Sequence, residues 1–318
     1  MNPTPSVTIV TPSFNQAKFL EKTLRSVIEQ DYPDIEYLVV DGGSTDGSVE
    51  IIQKYAKRIH WWVSEKDNGQ ADGINKGLRR AKGEIVAWLN SDDFYQPGAI
   101  SNAVRALREN PDAGFVYGNL QVVNPAGETT NVLTYGDWKL KGLMEFKIIG
   151  QPAVFMRREV LEKAGYLDVS FHFLLDHHLW LRMAMIAQPR YVAQLWAGEH
   201  YHAGSKNAAQ AAKFGAEAWR IVEWMRTQPM LAEMLSADYR RVEAGAERLN
   251  AFYLFDAQDY RAALRAYWRS LRLHPSAAMK DWHRILYAAL SPLGLDKARQ
   301  SYLRRRKHRY NKNDPSSS

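Results

Sequence analysis

The stretch EYLVVDGGSTDGS, Glu36 to Ser48, constrains this chain more than any other part of it. A β-branched apolar run ends in Asp41, and two glycines follow. Gly42 and Gly43 let the backbone turn sharply because glycine tolerates positive φ. Ser44, Thr45 and Asp46 can cap a following helix, whose N-terminus favours anions. Strand, acid, glycines and capped helix together describe a nucleotide pocket, and a tight turn whose acids only cap a helix is the plainer alternative. The surroundings repeat the pattern. SVTIVT (Ser6 to Thr11) reads as a strand closed by Pro12-Ser13-Phe14-Asn15, and Leu20, Leu24, Val27 and Ile28 form one helical stripe. Ser44 to Arg58 reads as a helix, His60 to Val63 and Glu84 to Leu89 as strands, Ala99 to Glu109 as a helix and Gly114 to Val123 as an extended run. The alternation predicts an α/β fold, a mostly parallel sheet with helices on both faces. Ligands of such sheets bind beyond the carboxyl ends of the strands, so Asp41 and the pair Asp92-Asp93 mark where chemistry is expected.

The 318 residues exceed one catalytic domain of roughly 200–250 residues, so an appendage is expected. The boundaries read as 1–207 for a catalytic domain, 208–295 for a helical extension and 296–318 for a basic tail. Within the extension, Ala251 to Pro275 is similar to one tetratricopeptide-type hairpin. A single copy is too few for a free-standing solenoid, so a packed helical cap is expected. Cysteine is absent, which excludes disulfides, thiolate metal sites and a cysteine nucleophile. Neither a secretory signal nor an apolar run near ~18 residues is visible, and the expectation is a soluble, cytoplasmic protein. The net charge of +7 is concentrated at one end. Asp296 to Ser318 carries +6, leaving +1 on the rest, so the body is not a nucleic-acid binder.

Five motifs carry a resemblance: TPSFN, VVDGGSTDGS, NGQADGINKGLRRAKGEIVAWLNSDD, GQPAVFMRR and DHHLWLR. In that order and spacing, from Thr8 to about Asn207, the sequence resembles the family 2 glycosyltransferases, which have the GT-A fold. The resemblance implies a nucleotide-sugar donor, in first place a UDP-sugar, and inversion by a single displacement. It places Thr11, Pro12 and Asn15 in the loop lining the nucleoside, and Asp41 with Gly42 where an acid accepts a hydrogen bond from the base. Asp72 falls in the loop covering the nucleotide. Asn90-Ser91-Asp92 falls on the family's Asp-x-Asp signature, so Asp92, with Asp93 beside it, would hold a divalent cation, Mn²⁺ or Mg²⁺. A hard cation with oxygen ligands neutralises the departing diphosphate. Asn90 departs from the commonest pattern, because an amide brings no charge to the metal.

The acceptor hydroxyl must lose a proton as it attacks. By the resemblance, Asp176 in FLLDHHLWLRM is the general base; as bare sequence it also reads as an N-cap. Leu175 replaces the Glu often found before the base, and His177 could orient the acceptor. His202, in EHYHAGSKN, fits the position of a histidine that closes over metal and diphosphate better than His200 does, and a surface histidine pair is the alternative. Gln151 corresponds to a segment near the acceptor. Trp138 is a candidate acceptor contact or an exposed packing residue. The expected acceptor is a glycan or lipid-linked glycan of the cell surface. Trp282, Ile285, Leu286, Leu290 and Leu293 before RRRKHR resemble an interfacial anchor for peripheral contact with the inner face of the membrane, against a packed helix with a solvated basic end. Two rivals stand beside the transferase: a nucleotidyltransferase, which would need a glycine-rich loop after the first strand, and a non-catalytic scaffold.

Overall fold

The computed structural model describes residues 4–124, 126–200, 210 and 213–291. The chain divides into two compact units, one of residues 1–143 with 148–200 and one of residues 144–147 with 201–318.

The first unit is built on a nine-stranded sheet. In chain order its elements are β1 (Val7–Ser13), α1 (Ala17–Ile28), β2 (Ile35–Asp41), α2 (Ser48–Tyr55), β3 (Trp61–Ser64), α3 (Gln70–Arg80), β4 (Ile85–Trp88), β5 (Asp93–Tyr95) and α4 (Ala99–Glu109). They continue with β6 (Ala113–Val123), β7 (Thr129–Leu133), α5 (Leu140–Met144), β8 (Val154–Arg157), α6 (Arg158–Ala164), α7 (Leu175–Ala184) and β9 (Gln188–His200). The strand order is β3-β2-β1-β4-β8-β6-β9-β5, with β7 on β6.

The first half of the sheet is parallel: β1 pairs with β2 and β4, and β2 with β3. Every residue of β1 and β4 is buried, the signature of strands covered on both faces. The second half departs from the expected mostly parallel sheet. β8 runs antiparallel to β4 and β6, and β5 antiparallel to β9, while β6 and β9 are parallel. The α/β class holds, and the sheet is mixed.

Helices α1 and α3 follow from their apolar spacing. In α1, Leu20, Leu24 and Val27 are buried, and in α3 Ala71, Ile74 and Leu78 are, each set three or four residues apart, with Phe19 buried beside Leu20. Gly77 lets α3 lie flat on β1, since a Cβ there would sit 2.3 Å from Val10 Cγ1. Asn75, buried in α3, donates to Leu167 O (2.8 Å) and accepts from Leu167 N (3.0 Å). One side chain thus satisfies both backbone groups of a residue in the segment that leads to α7.

The second unit is helical: α8 (Phe214–Thr227), α9 (Pro229–Asp256), α10 (Tyr260–Leu273), α11 (Pro275–Ala278) and α12 (Trp282–Leu290). α9 is kinked at Asp238. Its second half and α10 pack against each other, with Asp259 capping α10 through Ala262 N (3.0 Å). Ala251, Ala266, Tyr267 and Ala278 form one core, with Ile285 of α12 against them.

Candidate active site

The site grows from the carboxyl ends of the parallel strands. Asp41, the last residue of β2, is fully buried. Its Oδ2 accepts from Gly43 N (3.1 Å), Ser44 N (2.8 Å) and Ser64 Oγ (2.7 Å), and its Oδ1 from Ser44 Oγ (2.6 Å). These partners, three from the loop that follows and one from the end of β3, match the roughly four acceptor sites of a carboxylate. Gly43 supplies the turn with φ +84°.

The β1–α1 loop is clamped to the β2–α2 loop. Asn15, itself at φ +52°, accepts from Thr45 N (2.9 Å), and its own N–H reaches Ser44 Oγ (2.8 Å). Ala17 N donates to Asp46 Oδ2 (2.9 Å) and Gln16 N to Ser48 Oγ (3.2 Å). Two free N–H groups at the α1 N-terminus are thereby consumed, and the loop has no glycine. A phosphate-cradling loop of the kind a nucleotidyltransferase would need after β1 is therefore not built here. The α2 N-cap is Gly47; Asp46 takes Ser48 N (3.1 Å) at the start of that helix, while Ser44 and Thr45 bond Asn15 of the β1–α1 loop. Thr11 and Pro12 lie at the end of β1 and are buried, with Thr11 Oγ1 bonded to the Tyr37 hydroxyl (2.9 Å).

Asp72, half-buried in the first turn of α3, accepts from Asn68 N (3.0 Å). The sequence reading missed its neighbour Asp67. The Asp67 carboxylate is wedged between two glycines: a Cβ at Gly42 would come within 2.7 Å of its Oδ2, and one at Gly73 within 2.9 Å. Glycine in both motifs was the available signal.

Beyond β4, Asn90 is held on all its polar atoms. Its Nδ2 donates to Gln151 Oε1 (3.0 Å) and Asp93 Oδ2 (3.1 Å), and its Oδ1 accepts from Gln70 Nε2 (3.1 Å). Gln151, buried, donates from Nε2 to Trp88 O (2.7 Å). Ser91 is buried, and its carbonyl accepts from Thr23 Oγ1 (2.9 Å).

Asp92 is half-buried, whereas Asp93 is buried in β5 directly opposite Glu199 of β9. Burial, then the charges of Asp92 and Glu199, push the Asp93 carboxyl well above the usual range. Burial and Asp92 push Glu199, also absent from the sequence-predicted set, up to about 7. Among the described residues no three His, Asp or Glu side chains form a ready metal cage. The donor set instead suits a cation held by Asp92 and by substrate oxygens, which is how diphosphate-bound Mg²⁺ is commonly carried.

His200 closes this corner. Its Nδ1 lies 2.6 Å from Asp92 O, so Nδ1 carries the proton. Nε2 then accepts from Lys22 Nζ (3.3 Å), which sits 3.5 Å from the centre of the Phe94 ring. The imidazole packs on Phe19 and Phe94, centroids 4.9 and 5.3 Å away. His202, like Ser205 and Lys206, lies outside the described residues.

Asp176 lies in the first turn of α7, half-buried, behind the N-cap Leu174, and accepts from His177 N (2.7 Å). Trp180, one turn on, stacks on Trp88 and Phe115, both at 5.3 Å, and ties α7 to the end of β4. His177 is turned inward: it is fully buried, with Nε2 3.0 Å from Leu143 O, and burial lowers its pKa to about 4. His178 is buried against Phe171, centroids 4.3 Å apart. Trp138, half-buried, packs edge-on to Tyr135 (5.6 Å), and its backbone N–H donates to the Tyr117 hydroxyl (2.8 Å), within the aromatic group on β6 and β9.

Asp41 and Asn90–Asp93 thus share one sheet edge, separated by β1, or roughly 10 Å at the usual strand spacing. Residues 8–164 match the profile of Glycosyl transferase family 2. The Bacillus subtilis (strain 168) protein TuaG, whose name assigns it to teichuronic acid biosynthesis, is 39% identical over 108 residues. That match covers 33% of this chain and 43% of TuaG, so less than half of that relative is spanned. S. aureus TarS 1–349 in complex with UDP-GlcNAc shares the fold with a TM-score of 0.61 and 16% identity, over 91% of this chain and 92% of that one. The Pyrobaculum calidifontis mannosyltransferase PcManGT, in complex with GDP-Man and Mn²⁺, does so with a TM-score of 0.58 and 23% identity, over 92% and 88%. On fold, motif order and sequence match together, the chain belongs to the family 2 glycosyltransferases and has their GT-A fold.

Proposed function

We propose that this protein transfers a sugar from a nucleoside-diphosphate sugar, in first place a UDP-sugar, to a hydroxyl of a cell-surface glycan with inversion. One observation carries the reading: Asp41 and Asp92 leave β2 and β4 at the same sheet edge, on either side of β1. The name of TuaG supports a cell-surface glycan as product, and the ligands of TarS and PcManGT support a nucleotide-sugar donor.

The base of the nucleotide meets Asp41 when the Ser44 or Ser64 hydroxyl swings aside, since hydroxyl rotors move and the two backbone donors do not. Asp92, together with donor oxygens, would hold Mn²⁺ or Mg²⁺, which when bound supplies positive charge beside the leaving diphosphate. Asp176 accepts the proton of the acceptor hydroxyl while that oxygen bonds to the anomeric carbon. The bond from that carbon to the phosphate oxygen breaks, and the diphosphate leaves with the electron pair. Trp180 on Trp88 keeps this base in register with the Asn90–Asp93 segment. The absence of cysteine and the donor class fit a reducing, cytoplasmic compartment.

The test is donor turnover across a panel of UDP-, GDP- and dTDP-sugars with Mn²⁺. Asp176→Asn is expected to abolish turnover by at least ~10²-fold and to leave nucleotide affinity unchanged. Full turnover in that variant would remove Asp176 as the base.

A further inference from the structure

The helical unit presents an apolar stripe on its outer side. Met279, Trp282, Leu286 and Leu290 follow at spacings of three, four and four residues, which is one helix face. They are 63, 64, 51 and 37% exposed. The other face of α12 is the packed one: Ile285 lies on the Ala251–Tyr267 core, Ala288 is buried, and Tyr287 meets Phe255 and Tyr260 edge-on. The sequence pattern counted Ile285 with the outer stripe, and the structure separates them. Trp268 of α10 adds another large exposed ring, 62% accessible. Scattered apolar side chains on a surface are ordinary, but an ordered stripe on a helix already packed by its opposite face is not. Lys280, next to Met279 in sequence, is exposed, and the chain beyond α12 carries +6 between Asp296 and Ser318. Among the described residues no helix is long and apolar enough to cross a membrane.

We propose that this stripe lies in the headgroup region of an anionic lipid bilayer, whose negative charge complements the +6 of the sequence from Asp296 to Ser318. A protein partner would account for the apolar face alone. An anionic bilayer accounts for both the apolar face and the charge that follows it, because interfacial binding adds buried apolar area to electrostatic attraction. The inference rests on the helical unit and not on the transferase reading, so either can fail without the other.

Flotation of the full chain tests it, with vesicles of phosphatidylcholine alone and of phosphatidylcholine mixed with phosphatidylglycerol. The chain is expected to float with the mixed vesicles and to be released by high salt. Trp282→Ser with Leu286→Ser is expected to lower the partition coefficient more than tenfold without moving the melting temperature. Should that pair disturb folding, Met279→Ser with Leu290→Ser probes the same stripe. Arg304→Glu, Arg305→Glu and Arg306→Glu together are expected to lower partition comparably and to remove its salt dependence. The proposal is overturned if the full chain floats with neither vesicle, or if the stripe variants float like the parent. It is equally overturned if the stripe substitutions convert a dimer to a monomer and leave flotation unchanged, which would make the stripe a contact between copies.

Discussion

Gln151 dictates which way round the amide of Asn90 lies. The Trp88 carbonyl can only accept, so Gln151 must turn Nε2 to it and Oε1 to Asn90, which must then present its NH₂. The second hydrogen of that NH₂ goes to Asp93, and the remaining oxygen accepts from Gln70. The position that most often carries an Asp in this signature is therefore shaped for a neutral donor.

Asn90→Asp is accordingly expected to destabilise the protein. A carboxylate there would face Gln151 Oε1 and the buried Asp93 carboxyl, losing both N–H donors and placing a new charge in a buried acidic corner. The expected cost is about 1–3 kcal/mol in urea or thermal unfolding near neutral pH. An unchanged or raised stability would show that the amide is not held as described.

Asp67 and Gly73 are expected to be energetically coupled. Alanine in a helix interior gains up to ~1 kcal/mol over glycine, but at 73 its Cβ would stand 2.9 Å from Asp67 Oδ2. Gly73→Ala should stabilise the protein only in an Asp67→Ala background, with a coupling of about 1–2 kcal/mol in a double-mutant cycle. Additive effects would contradict the wedge.

Acid should act through His177. Its folded pKa of about 4 lies below the ordinary 6.5, so the unfolded chain takes up the proton first. The contribution is complete above about pH 6.5 and is lost as pH falls through 4, up to about 3 kcal/mol. His177→Gln should flatten the pH dependence of unfolding in that window by about one proton. An identical slope in the variant would mean that His177 is charged or exposed in the fold.

His200 should govern the metal step without touching donor or acceptor. His200→Phe keeps the packing on Phe19 and Phe94 and removes the hydrogen bond to Asp92 O. On the proposed function, the Mn²⁺ concentration for half-maximal UDP binding should rise by roughly tenfold, with metal-free UDP affinity retained. Equal Mn²⁺ dependence in both proteins would exclude the positioning role.

Much of the first unit was readable residue by residue. The runs ending at Asp41 and Leu89 are apolar enough to be buried strands, and the stripes of α1 and α3 recur at helical spacing, so Asp41, Asn90 and Asp92 could be placed at strand ends before any coordinates. Local periodicity says which side of an element is apolar and where its turn begins. It does not say which distant element that side will meet. The antiparallel β8 and β5, the pairing of Asp93 with Glu199, the Gln70–Asn90–Gln151 chain and the His200 contact to a carbonyl 108 positions away were therefore decided only in the folded molecule. So was the split of α12 into a packed face and an exposed one. These contacts depend on hydrogen-bond direction and on strand register across the sheet, and neither leaves a mark on the spacing of residues along the chain.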